Sequence, residues 1–244
     1  MRCSPEVKTA LVTGGARGIG AAITATLADA GWRVVAADID ARAIDKAERD
    51  WGDAPITGAV LDVTDRIAVS GLMDAHGPFD VVVNNAAIPA DMLPFAELTP
   101  EHFAQALKIN VQGSFIVAQE AARRMAAGAI VNIASRGYLG GIGGAHYVAS
   151  KAAVVGMTRA MAVELRWRGI SVNAVAPGMV ETRMIEGFSS AMREKMTEME
   201  PEGGPLDPAV IAGVVAYLAS PAGRSMTGQV LLVDGGKTIG TGLY

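Results

Sequence analysis

Short apolar runs recur along the chain, and between them apolar residues fall at helical spacing. The runs cover 10–13, 33–38, 56–61, 81–84, 129–133, 172–176 and 230–233. Such runs, rich in Val, Ile and Ala, read as strands buried on both faces. The intervals carry helical patterns, the first over 19–30 and the longest over 99–126 and 147–168. Strand and helix in alternation predict a three-layer α/β fold: a doubly wound parallel sheet of about seven strands with helices on both faces. At 244 residues, one domain spanning 1–244 is expected. Residues 181–205 are the least sheet-like part and read as a substrate lid. Met179, Met184, Met192, Met196 and Met199 cluster there, a residue type that adapts to irregular apolar surfaces, with Gly187, Gly203 and Gly204 as hinges.

Composition narrows the function. Half the residues are apolar, only 19% are charged, and the formal charge is −4, which argues against a nucleic-acid binder with its basic face. One cysteine, Cys3, excludes an intrachain disulfide and a four-cysteine zinc site. Residues 1–8 include Pro5 and Glu6 and lack an apolar centre, unlike a secretory signal. No apolar stretch reaches the roughly 20 residues that span a membrane, so no membrane partner and a cytoplasmic location are expected.

Thr13-Gly14-Gly15-Ala16-Arg17-Gly18-Ile19-Gly20 follows the first strand and opens the first helix. In that context a glycine-rich loop brings backbone N–H groups against a pyrophosphate at a helix N-terminus. The second run ends in Asp38, about twenty residues further on, where a dinucleotide-binding fold places the acid that accepts hydrogen bonds from the adenosine ribose. That carboxylate repels the 2′-phosphate of NADP. Arg17 pulls the other way, because a basic loop residue can pair with that phosphate. Asp38 stands against the 2′ oxygen while Arg17 can turn to solvent, so NAD is the expected cofactor and NADP the less favoured one.

Tyr147-Val148-Ala149-Ser150-Lys151 places a phenol and an ammonium one helical turn apart. A neighbouring Lys⁺ favours the phenolate and lowers the phenol toward the working range of a general acid/base. Ser135 ends the fifth run, at a strand's C-terminal end, and is the only serine between Ser114 and Ser150. It is the candidate hydrogen-bond donor to the reacting oxygen.

With loop, acid and Tyr–Lys pair in this order, the chain resembles the short-chain dehydrogenase/reductase family in its compact form, from about Thr9 to Gly236. The resemblance implies a Rossmann fold and a catalytic set of Asn110, Ser135, Tyr147 and Lys151, with Asn110 anchoring a water that links Lys151 to solvent. Implied cofactor contacts come from Gly14, Arg17, Gly18, Ile19, Gly20 and Asp38, then from Asp62 and Val63 at the adenine. Asn85 in Asn84-Asn85-Ala86-Ala87, Tyr147, Lys151, and Pro177, Gly178, Val180 and Thr182 at the nicotinamide end complete the set. Ala87 stands where the family usually has Gly. The interval from Ser135 to Tyr147 is about one residue shorter than usual, in a loop whose five glycines absorb the change. No metal is required.

The implied reaction is hydride transfer between nicotinamide and a secondary alcohol or ketone. The substrate is expected to be a small polar alcohol, polyol, sugar or hydroxy acid. Arg136, His146 and Arg183 flank the implied site, and an arginine there can clamp an anion. An NADPH-dependent reductase of 3-oxoacyl thioesters is the alternative, and a catalytically idle NAD-binding regulatory protein a further one. The segment Met226 to Gly236 resembles the family's final strand and subunit contact, implying a homotetramer or else a homodimer.

Overall fold

All seven runs form strands: β1 Thr9–Thr13, β2 Arg33–Asp38, β3 Ile56–Val60, β4 Val81–Asn84, β5 Gly128–Ile133, β6 Ile170–Pro177 and β7 Val230–Val233. The computed structural model describes residues 7–141, 144–181, 194, 197–198, 200–201 and 203–239. Every strand pair is parallel, in the order β3-β2-β1-β4-β5-β6-β7.

The pleat explains why the inner runs are largely apolar. In β1, Ala10 and Val12 face a core that contains Ile23, Leu27, Ile211 and Val215. Leu11, between them, faces the opposite core with Val69, Leu72, Val117 and Val172. Period-two alternation thus feeds two cores, one per face. Helices α1 (Gly18–Asp29) and α7 (Pro208–Ala219) cover the first face; α3 (Arg66–His76), α5 (Ser114–Arg124) and α6 (Ala145–Leu165) cover the second.

Helix starts follow local chemistry. Asp40 caps α2 (Ala41–Trp51) by accepting from the Arg42 and Ala43 N–H groups; Asp65 caps α3 through two such N–H groups, and Asp207 caps α7 through that of Ala209. Helix α1 differs: Arg17 stands at its N-cap and, among the described residues, no side chain caps it. Its first-turn N–H groups open toward the C-terminal edge of the sheet. There β1 lies between β2 and β4, and the chain leaves β1 for one side and returns to the other. Ligands of open parallel sheets bind at such a switch point.

The helix expected over 99–126 is interrupted. Helix α4 (Pro100–Ala106) passes into a π-helical turn, Leu107–Gly113, before α5. The wider turn coincides with Asn110, whose buried amide Oδ1 accepts from the Ile88 N–H at 2.8 Å and whose Nδ2 donates to the Ile88 carbonyl at 3.2 Å. Clamping a neighbouring loop in this way favours a local departure from α geometry. Most of the expected lid lies outside the described residues, including Thr182, Arg183, Met184, Gly187, Met192, Met196 and Met199. Among the described residues, no helix is long and apolar enough to cross a membrane.

Candidate active site

The glycine loop is built by backbone crowding. Gly14 and Gly18 have φ of 61° and 52°, a left-handed conformation that side chains disfavour. At Gly20 a Cβ would lie 1.9 Å from the Gly14 carbonyl oxygen and 2.6 Å from the Asn85 amide nitrogen. Gly20→Ala therefore has to displace the loop. We expect it to lower unfolding free energy by about 3 kcal/mol, the upper range for overpacking, measured by urea denaturation.

Asn85 fastens this loop to β4. Its Nδ2 donates to the Thr13 and Gly14 carbonyls at 2.9 and 3.0 Å, and its own N–H donates to the Thr13 hydroxyl at 3.0 Å. The Asn85 amide nitrogen is thus committed to shaping the loop. Asn84 lies deeper, donating to the Asn132 side chain, which donates in turn to the Thr158 hydroxyl. This buried polar chain ties β4, β5 and α6 together beneath the site.

Asp38 is buried at the end of β2 and accepts from the Asp40 N–H at 3.1 Å. Arg17 is exposed, as its freedom to turn to solvent implied, yet its guanidinium is not free. Its guanidinium bridges Asp38 at 3.3 Å and Asp40 at 3.0 Å, because two carboxylates within reach hold it. Beyond β3, Asp62 accepts from the Thr64 N–H and hydroxyl, which leaves the buried Val63 against Gly113.

At the other end, Ser135 begins a 3₁₀ turn, Arg136–Leu139, and its Oγ accepts from the Gly137 N–H at 3.0 Å. With an acceptor site taken, the hydroxyl proton is directed to an oxygen in the cleft, the Tyr147 phenol or a substrate oxygen beside it. Tyr147 and Lys151 lie one turn apart on α6, with the Lys151 Nζ 5.6 Å from the phenol ring centroid. The Lys151 ammonium is buried and donates to the Ile133 carbonyl at 2.9 Å. Burial pushes its pKa down to about 8. Burial also pushes the Tyr147 phenol up, while a hydrogen bond with Ser135 draws it down. The downward shift expected from Lys151 is not seen: desolvation, which penalises the charged form of both groups, sets the direction of the phenol's shift.

Asn110 completes this end. Its Nδ2 also donates to the Ser150 hydroxyl, which donates to the Tyr147 carbonyl at 2.7 Å. Both Nδ2 protons are committed, which leaves a water on Asn110 the second lone pair of Oδ1 or the main-chain carbonyl, which already accepts from the Ser114 hydroxyl at 2.9 Å. Pro177 ends β6. Gly178 follows, packed so that a Cβ would lie 3.0 Å from the Asp234 Cα, and Val180 pairs with Leu206.

A single cleft of about 1450 Å³ joins these parts, lined by Gly14, Arg17, Gly18, Ile19 and Gly20 at one end. Asp38, Asp62 and Val63 line it beyond, and Ser135, Tyr147, Lys151, Pro177, Gly178 and Val180 line the rest. Asn85 lines it as well; Asn110 stands behind it. Sequence reasoning missed two pairs. His146, buried beside Tyr147, has its Nε2 3.2 Å from an Asp91 carboxylate oxygen. Lys237 pairs with the buried Glu200 at 2.5 Å. Asp91, Glu200 and Lys237 line the cleft, and no local period links partners so distant along the chain.

The model of the family described as "Enoyl-(Acyl carrier protein) reductase" matches residues 14–238. The chain is 38% identical to the 3-oxoacyl-[acyl-carrier-protein] reductase FabG of Thermotoga maritima over 96% of this chain and 99% of that one. It is 39% identical to the cis-4-hydroxycyclohexanecarboxylate dehydrogenase of Sinomonas cyclohexanicum, over 95% of this chain and 96% of that one. The chain belongs to the short-chain dehydrogenase/reductase family. The crystal structure of gox2181 superimposes with a TM-score of 0.91 at 32% identity, covering 96% of this chain and 97% of the other. As a short-chain dehydrogenase/reductase, the protein is an oxidoreductase of CH–OH groups working with a nicotinamide cofactor.

Proposed function

We propose that the protein is an NAD-dependent dehydrogenase/reductase that interconverts a secondary alcohol and a ketone, with Tyr147 as general acid/base. The observation that carries this reading is one cleft with Asp38 at its ribose end and Ser135, Tyr147 and Lys151 at its other end. The cleft suits a dinucleotide: α1 has no side-chain cap, the glycine loop admits no Cβ at Gly20, and the volume exceeds that of ordinary small-ligand pockets.

Bound there, nicotinamide supplies or takes the hydride. For reduction, Tyr147 donates its phenolic proton to the carbonyl oxygen, and Ser135 holds that oxygen with its hydroxyl proton. For oxidation, the same phenol oxygen takes the proton from the alcohol. Lys151 stabilises the phenolate and holds the nicotinamide ribose. Asn110 and Ser150 fix the first turn of α6 and hence the position of Tyr147. Gly14, Gly18, Ile19 and Gly20 hold the pyrophosphate, Asp62 and Val63 the adenine, and Pro177, Gly178 and Val180 the nicotinamide.

NAD is favoured over NADP because Asp38 is buried where the ribose hydroxyls would bind, and Arg17 is held by Asp38 and Asp40. We expect Asp38→Ala to remove the ribose acceptor and one of Arg17's two partners. The NADP/NAD ratio of kcat/KM should then rise by about 100-fold, the scale of removing one charge-assisted hydrogen bond and relieving one repulsion. An unchanged ratio would refute the cofactor assignment.

The substrate reading remains a small polar alcohol, polyol, sugar or hydroxy acid. The dehydrogenase of a hydroxycyclohexanecarboxylate among the relatives supports the hydroxy-acid member of that set, and the FabG relative supports the 3-oxoacyl thioester alternative. The same reading includes a cytoplasmic enzyme and a homotetramer. Exposed Phe115, Val163 and Trp167 on and just after α5 and α6 support association, and light scattering at working concentration tests it.

A further inference from the structure

We infer that Arg136 is a specificity residue that binds an oxyanion on the substrate, so that the preferred substrate is a short hydroxy or oxo acid. The inference rests on the proposed site, of which it names the substrate class.

Arg136 is bonded to Ser135 and opens the 3₁₀ turn that the Ser135 hydroxyl caps, so both residues enter the cleft from one rigid turn. Its Nε is buried and has no hydrogen-bond partner among the described residues. No carboxylate lies within ion-pair distance of it there, whereas Arg17, Arg66, Arg123 and Arg124 each reach one. Most of the other charges of the cleft have partners. Arg17 is held by two aspartates, Lys237 by Glu200, Lys151 by the Ile133 carbonyl, and Asp91 lies against His146. Lys108 is exposed.

Part of the cleft's lining is apolar, with Ile88, Pro89, Ala90, Met92, Val148 and Met179 among its residues. A guanidinium in such a cleft gains most from a fully charged partner, which a carboxylate meets with two parallel hydrogen bonds. The Cα atoms of Ser135 and Arg136 are about 3.8 Å apart, so an anion held by the Arg136 side chain belongs to the part of the substrate that enters the cleft beside Ser135, which favours a short acid over a long one.

The test uses matched pairs. Wild type, Arg136→Met and Arg136→Lys are assayed with NADH, and separately NADPH, on 3-oxobutanoate, 4-oxopentanoate and 5-oxohexanoate and on their methyl esters. We expect wild type to favour the acid over its ester at one chain length at least. Arg136→Met should cut the acid-to-ester ratio of kcat/KM by about 30-fold, the scale of one charge-assisted bidentate pair, mostly through KM, and Arg136→Lys should restore part of it. A wild-type ratio at or below one at every length overturns the inference, as does a ratio unchanged in Arg136→Met. Turnover of the esters alone leaves the proposed reaction standing without the clamp. If nothing turns over, thermal shifts decide with NADH present. Stabilisation by the acids and not the esters, abolished in Arg136→Met, supports the anion site while the proposed reaction fails. No such shift overturns both.

Discussion

Tyr147→Phe should lower kcat by about 10³-fold, within the range contributed by a positioned general acid/base, while NADH affinity measured by fluorescence changes little. The substitution removes only the phenolic oxygen, and the ring stays packed on α6. The pH dependence carries a second signature. Because burial raises the Tyr147 phenol, its proton is retained near neutrality, which suits the donor role in carbonyl reduction. Alcohol oxidation requires the phenolate, so its rate should climb with pH in wild type and show no such climb in the variant. A variant retaining more than a tenth of wild-type kcat would remove Tyr147 from the chemistry.

Lys151→Met should cost about 10³-fold in kcat/KM, since cofactor positioning and phenolate stabilisation disappear together, yet the protein should become more stable. Lys151 is buried, and its pKa falls from 10.5 to about 8, a penalty of about 3 kcal/mol on the charged form at neutral pH. Between those two values the unfolded chain holds a proton that the folded chain has released. Stability from this group therefore rises with pH across that window, and the penalty is present in full below about pH 8. Removing the ammonium also strips the Ile133 carbonyl of its donor, which costs about 1 kcal/mol. The net gain at pH 7 of about 1–2 kcal/mol should raise the melting temperature by roughly 2–6 °C for a domain of this size. That advantage should shrink as pH rises from 8 to 10. A variant less stable than wild type at pH 7 would show that the buried charge is well compensated, and an unimpaired kcat/KM would exclude Lys151 from the site. A cation kept at a cost in stability is the pattern expected of a functional group.

The inner strands were legible because they are buried on both faces, so most of their length is apolar, and a polar residue stands at or just beyond the end of several of them. Asp38, Asn84 and Ser135 were visible for that reason: they are where the runs of β2, β4 and β5 stop. The π-helical turn at Asn110 was not visible. Apolar spacing continues across Leu107–Gly113, and the contact that accompanies the wider turn is with Ile88, a residue distant along the chain. The Asp91–His146 contact escaped for the same reason. Spacing placed Lys151 beside Tyr147 correctly, but spacing carries no information on desolvation, which decides the direction of the phenol's shift. Likewise the two opposed cofactor signals, Asp38 and Arg17, are partners in one ion pair rather than competitors.

The most direct measurement is absorbance at 340 nm after mixing the purified protein with NAD⁺, and in parallel NADP⁺, and a panel of secondary alcohols that includes short hydroxy acids, polyols and sugars. The account predicts NADH formation with at least one class, faster than NADPH formation, and abolished in Tyr147→Phe. No absorbance change with any alcohol, while NADH still binds, would contradict it and leave a nucleotide-binding protein without the proposed chemistry.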